Sequence, residues 1–351
     1  MGNQLFFRDK PIIGLDINQT GIKIMSIDAK KWQVIAYGSI DLDPAKVAKS
    51  LDNQDDYIEI NLKSLLSKNV LGNLPSNHTV MSIPTGRTFT RTFDVPASAK
   101  KHLKDAIELE IDQYIPIPAS ALYVDHEITE ETKETVTLSM SAAPRALIDR
   151  MIEIAESAGL RVCAVEPGIG AVARMIESNE EGHLPTVIVD IGPAATDIAV
   201  LDGSIKVTGS IAIGGNTFTL DIAKKLKLPL DNAHQLKVLN GLNAGPRQQK
   251  LRGALTPSID RIIDETRKVM RYYNERVKNN KKLEQVLIVG GGSNMPGIGD
   301  YFTDTLVMPA RVASPWQKLN FGSLAEPTKQ FRPRYITVTG LALVNPSEIE
   351  R

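Results

Sequence analysis

Short apolar runs, which predict strands, alternate along the chain with longer segments whose apolar residues recur at helical spacing. In the first half, the pattern predicts strands at 11–17, 22–28 and 33–42, within 79–95, and at 121–128 and 134–142. It predicts helices at 61–71, 98–114, 144–158 and 167–178. The helix at 98–114 is the clearest, because Leu103, Ile107 and Ile111 share one face and Pro116 follows its end.

The strand pattern begins again near residue 185. The stretch TVIVDIGPAATDIAVLDGSIKVTGSI predicts three strands joined by turns. Helices are predicted at 217–227, 231–239, 256–279 and 297–306, with a buried strand at 286–292. The last apolar stretch, YITVTGLALV, predicts a closing helix. Strands and helices that alternate in this way are typical of an α/β protein.

The two halves repeat one another. Asp16-Ile17 ends an apolar strand and is followed by a polar turn, a second strand and Asp28; Asp190-Ile191 and Asp202 occupy the matching places. The two aspartates are twelve residues apart in both halves. We therefore expect a duplicated α/β fold with a cleft between the halves.

Composition narrows the functional classes. Lys and Arg together number 41, as do Asp and Glu, so the formal net charge is zero. This balance argues against nucleic acid or an anionic membrane surface as a partner bound by overall charge. The single cysteine, Cys163, cannot form an internal disulfide, and the sequence shows neither a signal-peptide pattern nor a membrane-length apolar run. We expect a cytoplasmic protein with no membrane span of its own.

The two repeated turns carry candidate chemistry. The first offers Asp16, Asn18, Gln19, Thr20 and Lys23, and the second offers Asp190, Gly192 and Thr196. Amides and hydroxyls can bind phosphate oxygens, while strand-end carboxylates can hold Mg²⁺, usually through water. Each turn taken alone is better explained as an ordinary capped hairpin.

Glycine-rich turns add a third element. Gly290, Gly291, Gly292 and Ser293 follow a buried strand and precede a helix, and Gly214-Gly215-Asn216 follows the third strand of the second half. Glycines let the backbone approach a flat ligand or a phosphate closely. Neither stretch matches the GxxxxGK[ST] phosphate loop or the GxGxxG dinucleotide turn.

These motifs, in this order, resemble the actin-like ATPase superfamily and, within it, the PilM family of type IV pilus and type II secretion assembly. The segments that carry the resemblance are PIIGLDINQTGIKIMSID, TRTFDVPASAKKHLKDAIELEIDQYIPIP, VIVDIGPAATDIAVLD and LIVGGGSNMPGI. The resemblance extends over roughly residues 11–345.

The resemblance implies a duplicated actin-like (ribonuclease H-like) two-lobed fold with an inserted α+β subdomain. The first lobe would comprise 1–78, with 163–184 and a closing helix at about 334–351 returning to it. The inserted subdomain would occupy 79–162. The second lobe would comprise a core of 185–213 and 283–333 and a helical subdomain of 214–282.

The resemblance also implies ATP and Mg²⁺ as cofactors. Asp16 would lie by the metal and Thr20 by phosphate, while Asp190 would lie by the metal or an attacking water, as the one catalytic candidate. Gly192 and Thr196 would form the second phosphate turn. The remaining implied contacts are to ribose, phosphates and adenine: Gly214, Gly215, Asn216, Glu265, Lys268 and Gly290–Ser293. Asn18 stands where a glycine is usual and Pro193 lacks an N–H donor, so we expect a nucleotide-binding protein that is at most a slow ATPase.

By resemblance, the chain is an ATP-binding cytoplasmic scaffold of the type IV pilus inner-membrane platform. Its partner would be the cytoplasmic N-terminal peptide of a PilN-type membrane protein, held in a groove walled by 79–95 and 98–114. Other platform proteins and a second copy of the chain are further partners to consider. The alternatives are a polymerising actin-like cell-division or cytoskeletal protein and, less favoured because the insertion is small, a small-molecule kinase of the same superfamily.

Overall fold

A computed structural model describes residues 11–349 except 53, 181, 183, 244, 246–248 and 278–280. The first part of the chain forms β1 (Ile13–Asn18), β2 (Gly21–Asp28), β3 (Gln33–Asp41), α1 (Pro44–Leu51), α2 (Tyr57–Lys68), β4 (Val70–Gly72) and β5 (His78–Ile83). The middle forms β6 (Phe89–Pro96), α3 (Leu103–Tyr114), β7 (Leu122–Glu131), β8 (Thr135–Pro144), α4 (Arg145–Ser157), β9 (Arg161–Pro167) and α5 (Gly168–Glu177).

The second half begins with β10 (Thr186–Ile191), β11 (Thr196–Asp202), β12 (Ser204–Ile211), α6 (Gly215–Leu226), α7 (Leu230–Leu239) and α8 (Gln249–Arg276). It ends with β13 (Gln285–Val289), α9 (Ile298–Leu306), β14 (Ala310–Val312), α10 (Ile336–Ala342) and α11 (Pro346–Ile349). Within the described residues, no helix is both long and apolar enough to cross a lipid bilayer.

The first lobe is built on a six-stranded sheet with the order β4-β3-β2-β1-β5-β9. The antiparallel meander β1–β3 supplies one half, and β5 and β9 extend it in parallel from β1. Both faces of β1 and β2 are buried, which accounts for their nearly continuous apolar sequence. The helices α2 and α4 pack on one face through Leu62, Leu65 and Ile154.

The second lobe repeats this plan. The meander β10–β12 lies beside β13 and β14, and its core packs against α6, α8 and α9 through Phe218, Ile259 and Phe302. The aspartates of the repeat occupy equivalent ends of β1 and β2 and of β10 and β11. The predicted duplication is therefore visible in the strand pairing itself.

The segment between Pro84 and Pro144 leaves the first sheet and forms a three-stranded sheet, β6-β8-β7, packed on α3. The sequence analysis grouped 79–95 as one strand region of the insertion, but β5 within it is an inner strand of the first sheet, paired with both β1 and β9. The alternation of Thr, Val and Phe does not show where the chain leaves the first sheet, because β5 and β6 both have the two-residue period of a strand.

The inserted sheet is joined to the second lobe. A pairing of Arg91 on β6 with Val207 on β12 makes β6 the neighbour of the second-lobe meander, so that eight strands form one sheet. The side chain of Arg91 pairs with Glu110 at 3.1 Å, and its guanidinium lies 3.6 Å from the ring centroid of Tyr114. The inserted sheet is therefore continuous with the sheet of the second lobe, and Arg91 also binds it to α3.

Between β3 and β5, two helices differ from the sequence prediction. The helix predicted at 61–71 begins earlier, at Tyr57, and its predicted end is instead the edge strand β4. The helix α1 had no predicted counterpart, although its apolar residues recur at helical spacing, at Pro44, Val47, Ala48 and Leu51. Asp43 caps it by accepting from the amides of Ala45 and Lys46.

Candidate functional site

A cavity of about 940 Å³ lies between the lobes at the ends of the two repeated hairpins. Twelve of the predicted site residues line it: Asp16, Asn18, Gln19, Thr20, Lys23, Asp190, Gly192, Gly215, Asn216, Gly290, Gly291 and Gly292. Residues from both halves of the chain therefore meet in one space.

Asp16 is the centre of the first turn. Its Oδ1 accepts a hydrogen bond from Ser82 Oγ at 2.8 Å, and its Oδ2 accepts from Asn18 Nδ2 at 2.9 Å and from Lys23 Nζ at 3.1 Å. Ser82 reaches it because β5 runs parallel to β1 with Asp16 opposite Ser82. The carboxylate is thus held in place, with a cation beside it.

Asn18 closes the first turn on itself. Its Oδ1 accepts both the amide N–H and the hydroxyl of Thr20, each at 3.0 Å. These two donors are the ones expected to meet a phosphate. An incoming phosphate must therefore replace the Asn18 oxygen as their acceptor.

The second turn presents two carboxylates. Asp190 ends β10, and its neighbour across the hairpin is Asp197 on β11. Burial, followed by the negative charges of Asp197 and Asp16, raises the pKa of Asp190 to about 7, although Lys23 acts in the opposite direction. Burial likewise raises the pKa of Asp197, whose Oδ1 accepts from Ser210 Oγ at 2.6 Å. Sequence analysis missed Asp197, although its place one residue after Thr196 at the start of β11 put it beside the cleft.

The donor set suits a hydrated divalent cation. Three carboxylates, Asp16, Asp190 and Asp197, lie at the two hairpins within the cavity, and the ammonium of Lys23 bonds to Asp16 there. No group of three His, Cys, Asp or Glu side chains within the described chain is close enough together to hold a metal directly. Mg²⁺ commonly keeps several waters and uses only one or two carboxylates. The residues therefore fit Mg²⁺ held partly through water and ligand oxygens.

Gly290 forms the floor behind Asp190. Its φ is +82°, and a Cβ at this position would lie 2.1 Å from Asp190 Oδ1 and 2.6 Å from the Ile191 carbonyl oxygen. Only glycine combines this backbone conformation with such a close approach. Glycine at position 290 is therefore required by the packing of the strand end against the second hairpin.

Lys237, on α7, reaches the same cavity beside the first turn of α6. Its Nζ donates to the Gly215 carbonyl at 2.7 Å and to Thr219 Oγ1 at 2.9 Å, and burial lowers its pKa to about 8. His234, one turn earlier, also lines the cavity. Sequence analysis missed both residues, although α7 was predicted and Ala233 and Lys237 share its buried face.

Five predicted site residues do not line the cavity. Thr196 is fully buried, and its hydroxyl donates to the Ile213 carbonyl at 2.7 Å. Ser293 donates to the Gly290 carbonyl, and Gly214 packs against the carbonyl of Gly192. Glu265 and Lys268 pair with each other at 2.8 Å on α8, and 70% of the Lys268 side chain is exposed. The second half of the chain instead brings Lys237 to the cavity.

The cavity continues from the first turn into an apolar wing. This wing lies between α1 and α4 and is lined by Pro44, Val47, Ala48, Leu51, Leu147 and Met151. Asp41, Asp52 and Arg87 provide the charged side chains around it. The helix α3, predicted as one wall of a peptide groove, does not contribute to this lining.

The pKa of Lys237 predicts a pH dependence of stability. Between pH 8 and the ordinary lysine value of 10.5, the unfolded chain binds a proton that the folded chain does not, so stability rises with pH across this window. Below pH 8 the buried ammonium costs at most about 3 kcal/mol. We expect urea unfolding to show the wild type gaining stability relative to Lys237→Met from pH 8 to pH 10. For a Lys225→Met control, at an exposed position of α6, the stability difference from the wild type should not change over this pH range. An equal change for both variants would contradict a lowered pKa of Lys237.

Solved structures with a similar fold include a PilM–PilN type IV pilus biogenesis complex, with a TM-score of 0.78, 21% identity, and coverage of 95% of this chain and 98% of that chain. They also include EutJ from Carboxydothermus hydrogenoformans (TM-score 0.54, 16% identity, 95% and 89% coverage). A third is MreB5 of Spiroplasma citri bound to ADP (TM-score 0.52, 16% identity, 98% of both chains). The fold is therefore that of an actin-like, two-lobed α/β protein, as predicted.

The family follows from the sequence itself. The family model for type IV pilus assembly protein PilM matches residues 14–345, and the chain belongs to that family. Among curated proteins, the cell division protein FtsA of Borreliella burgdorferi is 29% identical over 213 residues, covering 55% of this chain and 50% of that protein. FtsA of Neisseria meningitidis is 28% identical over 191 residues, covering 49% and 45%. The chain thus spans about half the length of these relatives.

Proposed function

We propose that the chain is a nucleotide-binding scaffold of the type IV pilus inner-membrane platform, and that ATP with Mg²⁺ is its ligand. The observation that carries the proposal is the meeting of three carboxylates, both hairpin turns and the triglycine floor in one cavity of about 940 Å³. MreB5 of Spiroplasma citri, which has a similar fold, was solved with ADP.

In this proposal the residues that line the cavity bind different parts of the nucleotide. Asp16 and Asp190 hold the hydrated Mg²⁺, which neutralises phosphate charge when it is bound. Lys23 and the turn amides bind phosphate oxygens, while Asn216 and Lys237 lie toward the sugar. Because several turn donors are already satisfied within the protein, we expect binding with at most slow hydrolysis.

The apolar wing is the proposed site of the partner. The similar PilM–PilN structure supports a PilN-type membrane protein, whose cytoplasmic N-terminal peptide would place apolar side chains between α1 and α4. Asp52 suits a basic side chain or a free amino group beside that apolar segment, whereas Asp41 already lies 3.7 Å from Arg334. Such a peptide would hold the scaffold at the cytoplasmic face of the inner membrane.

Nucleotide and peptide would then influence one another through the shared cavity. The segment from Thr85 to Arg87 lines the cavity and contacts the second hairpin. Thr85 hydrogen-bonds Asp197, and a Cβ on Gly86 would lie 2.9 Å from Ser210 Oγ. A nucleotide that draws the lobes together would change the width of the wing. This is a shift in populations between open and closed forms rather than a result of turnover.

The pilus proposal is preferred to a filament-forming role. The PilM family model spans 14–345, whereas the FtsA relatives match between about half and two thirds of the chain. A kinase would need a base held beside a second substrate. The wing is lined mainly by apolar side chains, and its two carboxylates, Asp41 and Asp52, are exposed to solvent.

Calorimetry on the full chain tests the proposal in two arms. The first titrates Mg·ATP, and the second titrates the N-terminal peptide of a PilN-type protein from the same organism, with and without saturating Mg·ATP. We expect both ligands to bind and the nucleotide to change the affinity for the peptide. Absence of nucleotide binding would overturn the first half of the proposal, and absence of peptide binding the second.

The closed first turn predicts a gain of affinity. In Asn18→Gly, the amide and hydroxyl of Thr20 lose their internal acceptor and become available to phosphate. A net hydrogen bond contributes about 0.5–1.5 kcal/mol, so we expect Mg·ATP to bind roughly three- to tenfold more tightly. Asn18→Ala serves as a second variant that frees the same donors without adding glycine flexibility. Weaker binding in both variants would instead identify Asn18 as a phosphate ligand.

A further inference from the structure

The outer end of the cavity carries an exposed aromatic ring that the phosphate chemistry does not use. Phe331 lines the cavity and is 49% exposed, the largest exposed fraction of any aromatic side chain among the described residues. The guanidinium of Arg334 lies 5.3 Å from its ring centroid. A single exposed apolar ring is common on soluble proteins. This one differs because it lines the cavity and has a guanidinium beside it.

This ring faces a part of the cavity with suitable walls for a flat ligand. Asn294, at the end of the triglycine turn, donates to the Gln330 carbonyl at 3.0 Å, which fixes the segment before Phe331 against the glycine floor. The stem of Arg334 packs on Gly291, where a Cβ would lie 3.6 Å from Arg334 Cγ. The floor beside the ring is thus bare backbone.

The facing wall is the helix α7. His234 and Val238 line the same cavity from that side. The positive charge of Arg334, after burial and Lys237, contributes to lowering the pKa of His234, so the two side chains are electrostatic neighbours across this space. The result is a slot with an aromatic ring and a guanidinium on one side, a helix on the other and glycine at its base.

We propose that Phe331 and Arg334 form a stacking platform for the purine base of the nucleotide whose phosphates occupy the two hairpin turns. The inference rests on the proposed nucleotide site and adds the residues that hold the base. Stacking on an aromatic ring uses the π-face that every base offers, and a guanidinium strengthens it. The platform therefore provides affinity for a nucleoside triphosphate, and discrimination between adenine and guanine is left to polar groups such as Asn294.

The test compares ligands with and without a base on the full chain. For Phe331→Leu, we expect calorimetry to show roughly 5- to 150-fold weaker binding of Mg·ATP and unchanged binding of Mg·tripolyphosphate. Phe331→Trp should retain Mg·ATP binding, and its added fluorescence should be quenched by Mg·ATP but not by tripolyphosphate. The background from Trp32 and Trp316 is measured in the wild type.

Tyr123→Leu is the matched control, because Tyr123 is also exposed and also covered by an arginine, with Arg145 4.3 Å from its ring centroid, yet lies outside the cavity lining. It should bind Mg·ATP as the wild type does. Equal losses of ATP and tripolyphosphate binding in Phe331→Leu, or no loss of either, would overturn the platform. The proposed phosphate site would still stand on the binding of both ligands by the wild type. A wild-type chain that binds neither ligand would overturn the nucleotide proposal itself, and the platform with it.

Discussion

Replacing Asp16 by alanine should weaken the binding of Mg·ATP by about 100-fold or more while leaving the binding of metal-free ATP equal or stronger. Asp16 is one of the three carboxylates at the hairpins within the cavity, and its Oδ2 lies 3.1 Å from Lys23 Nζ. Its loss removes a proposed anchor of the hydrated Mg²⁺, but it also frees the ammonium of Lys23 and reduces repulsion of the phosphates. Calorimetric titrations in Mg²⁺ and in excess EDTA would separate the two effects.

Asp28→Ala is the control for this result. Asp28 is the second aspartate of the same repeat and lies at the far end of β2, outside the cavity lining, where it pairs with Lys31 on the surface. It should leave both titrations unchanged. If Asp16→Ala kept the preference for Mg·ATP over metal-free ATP, the metal would not be held from the first turn, and the assignment of Asp16 would be wrong.

The fold could be predicted because its signals are local. Each strand–turn–strand unit, with an aspartate at each strand end, is a continuous stretch of sequence. The antiparallel register of the two hairpins then places Asp16 opposite Lys23 and Asp190 opposite Asp197. Any chain that folds into such hairpins places these side chains together. The approach of the two turns across one cavity then follows from the duplication.

The rest of the site depends on contacts between distant residues. Ser82 reaches Asp16 only because β5 inserts beside β1, and Lys237 reaches Gly215 only because α7 packs on α6. Glu265 and Lys268 illustrate the same limit, since an acid and a base three residues apart on a helix look alike whether they face a ligand or each other. A periodic pattern identifies the helix but not the ligand-facing side.

Asp28 and Asp202 occupy the same position in the repeated sequence, but one is at the surface and the other is buried, and they have different roles. Asp28 ends β2 at the surface, where its Oδ1 accepts the amides of Lys30 and Lys31. Asp202 ends β11 in the interior, where it accepts from Tyr273 and Lys281. Asp28 therefore fixes a turn, whereas Asp202 joins α8 to the second sheet. Of the repeated aspartates, only Asp16 and Asp190 line the cavity.

Placing a glutamate on α1 should abolish peptide capture without unfolding the chain. Ala48 is exposed on α1 and lines the apolar wing beside Leu51 and Leu147. The substitution Ala48→Glu keeps good helix propensity but puts a charge where apolar side chains of the peptide would be desolvated. We expect the affinity for the PilN-type peptide to fall by about 100-fold or more, measured by calorimetry or fluorescence anisotropy with Mg·ATP present.

Ala45→Glu is the matched control, since Ala45 is exposed on the same helix but is absent from the cavity lining. A glutamate there lies in the first turn of α1, where the helix dipole favours a negative charge, so the variant should fold normally and bind the peptide as the wild type does. Mg·ATP affinity should change by no more than a few-fold in either variant, because neither position touches the phosphate turns. Equal peptide binding by Ala48→Glu and Ala45→Glu would mean that the partner docks elsewhere, and the inserted sheet β6-β8-β7 would become the next surface to test.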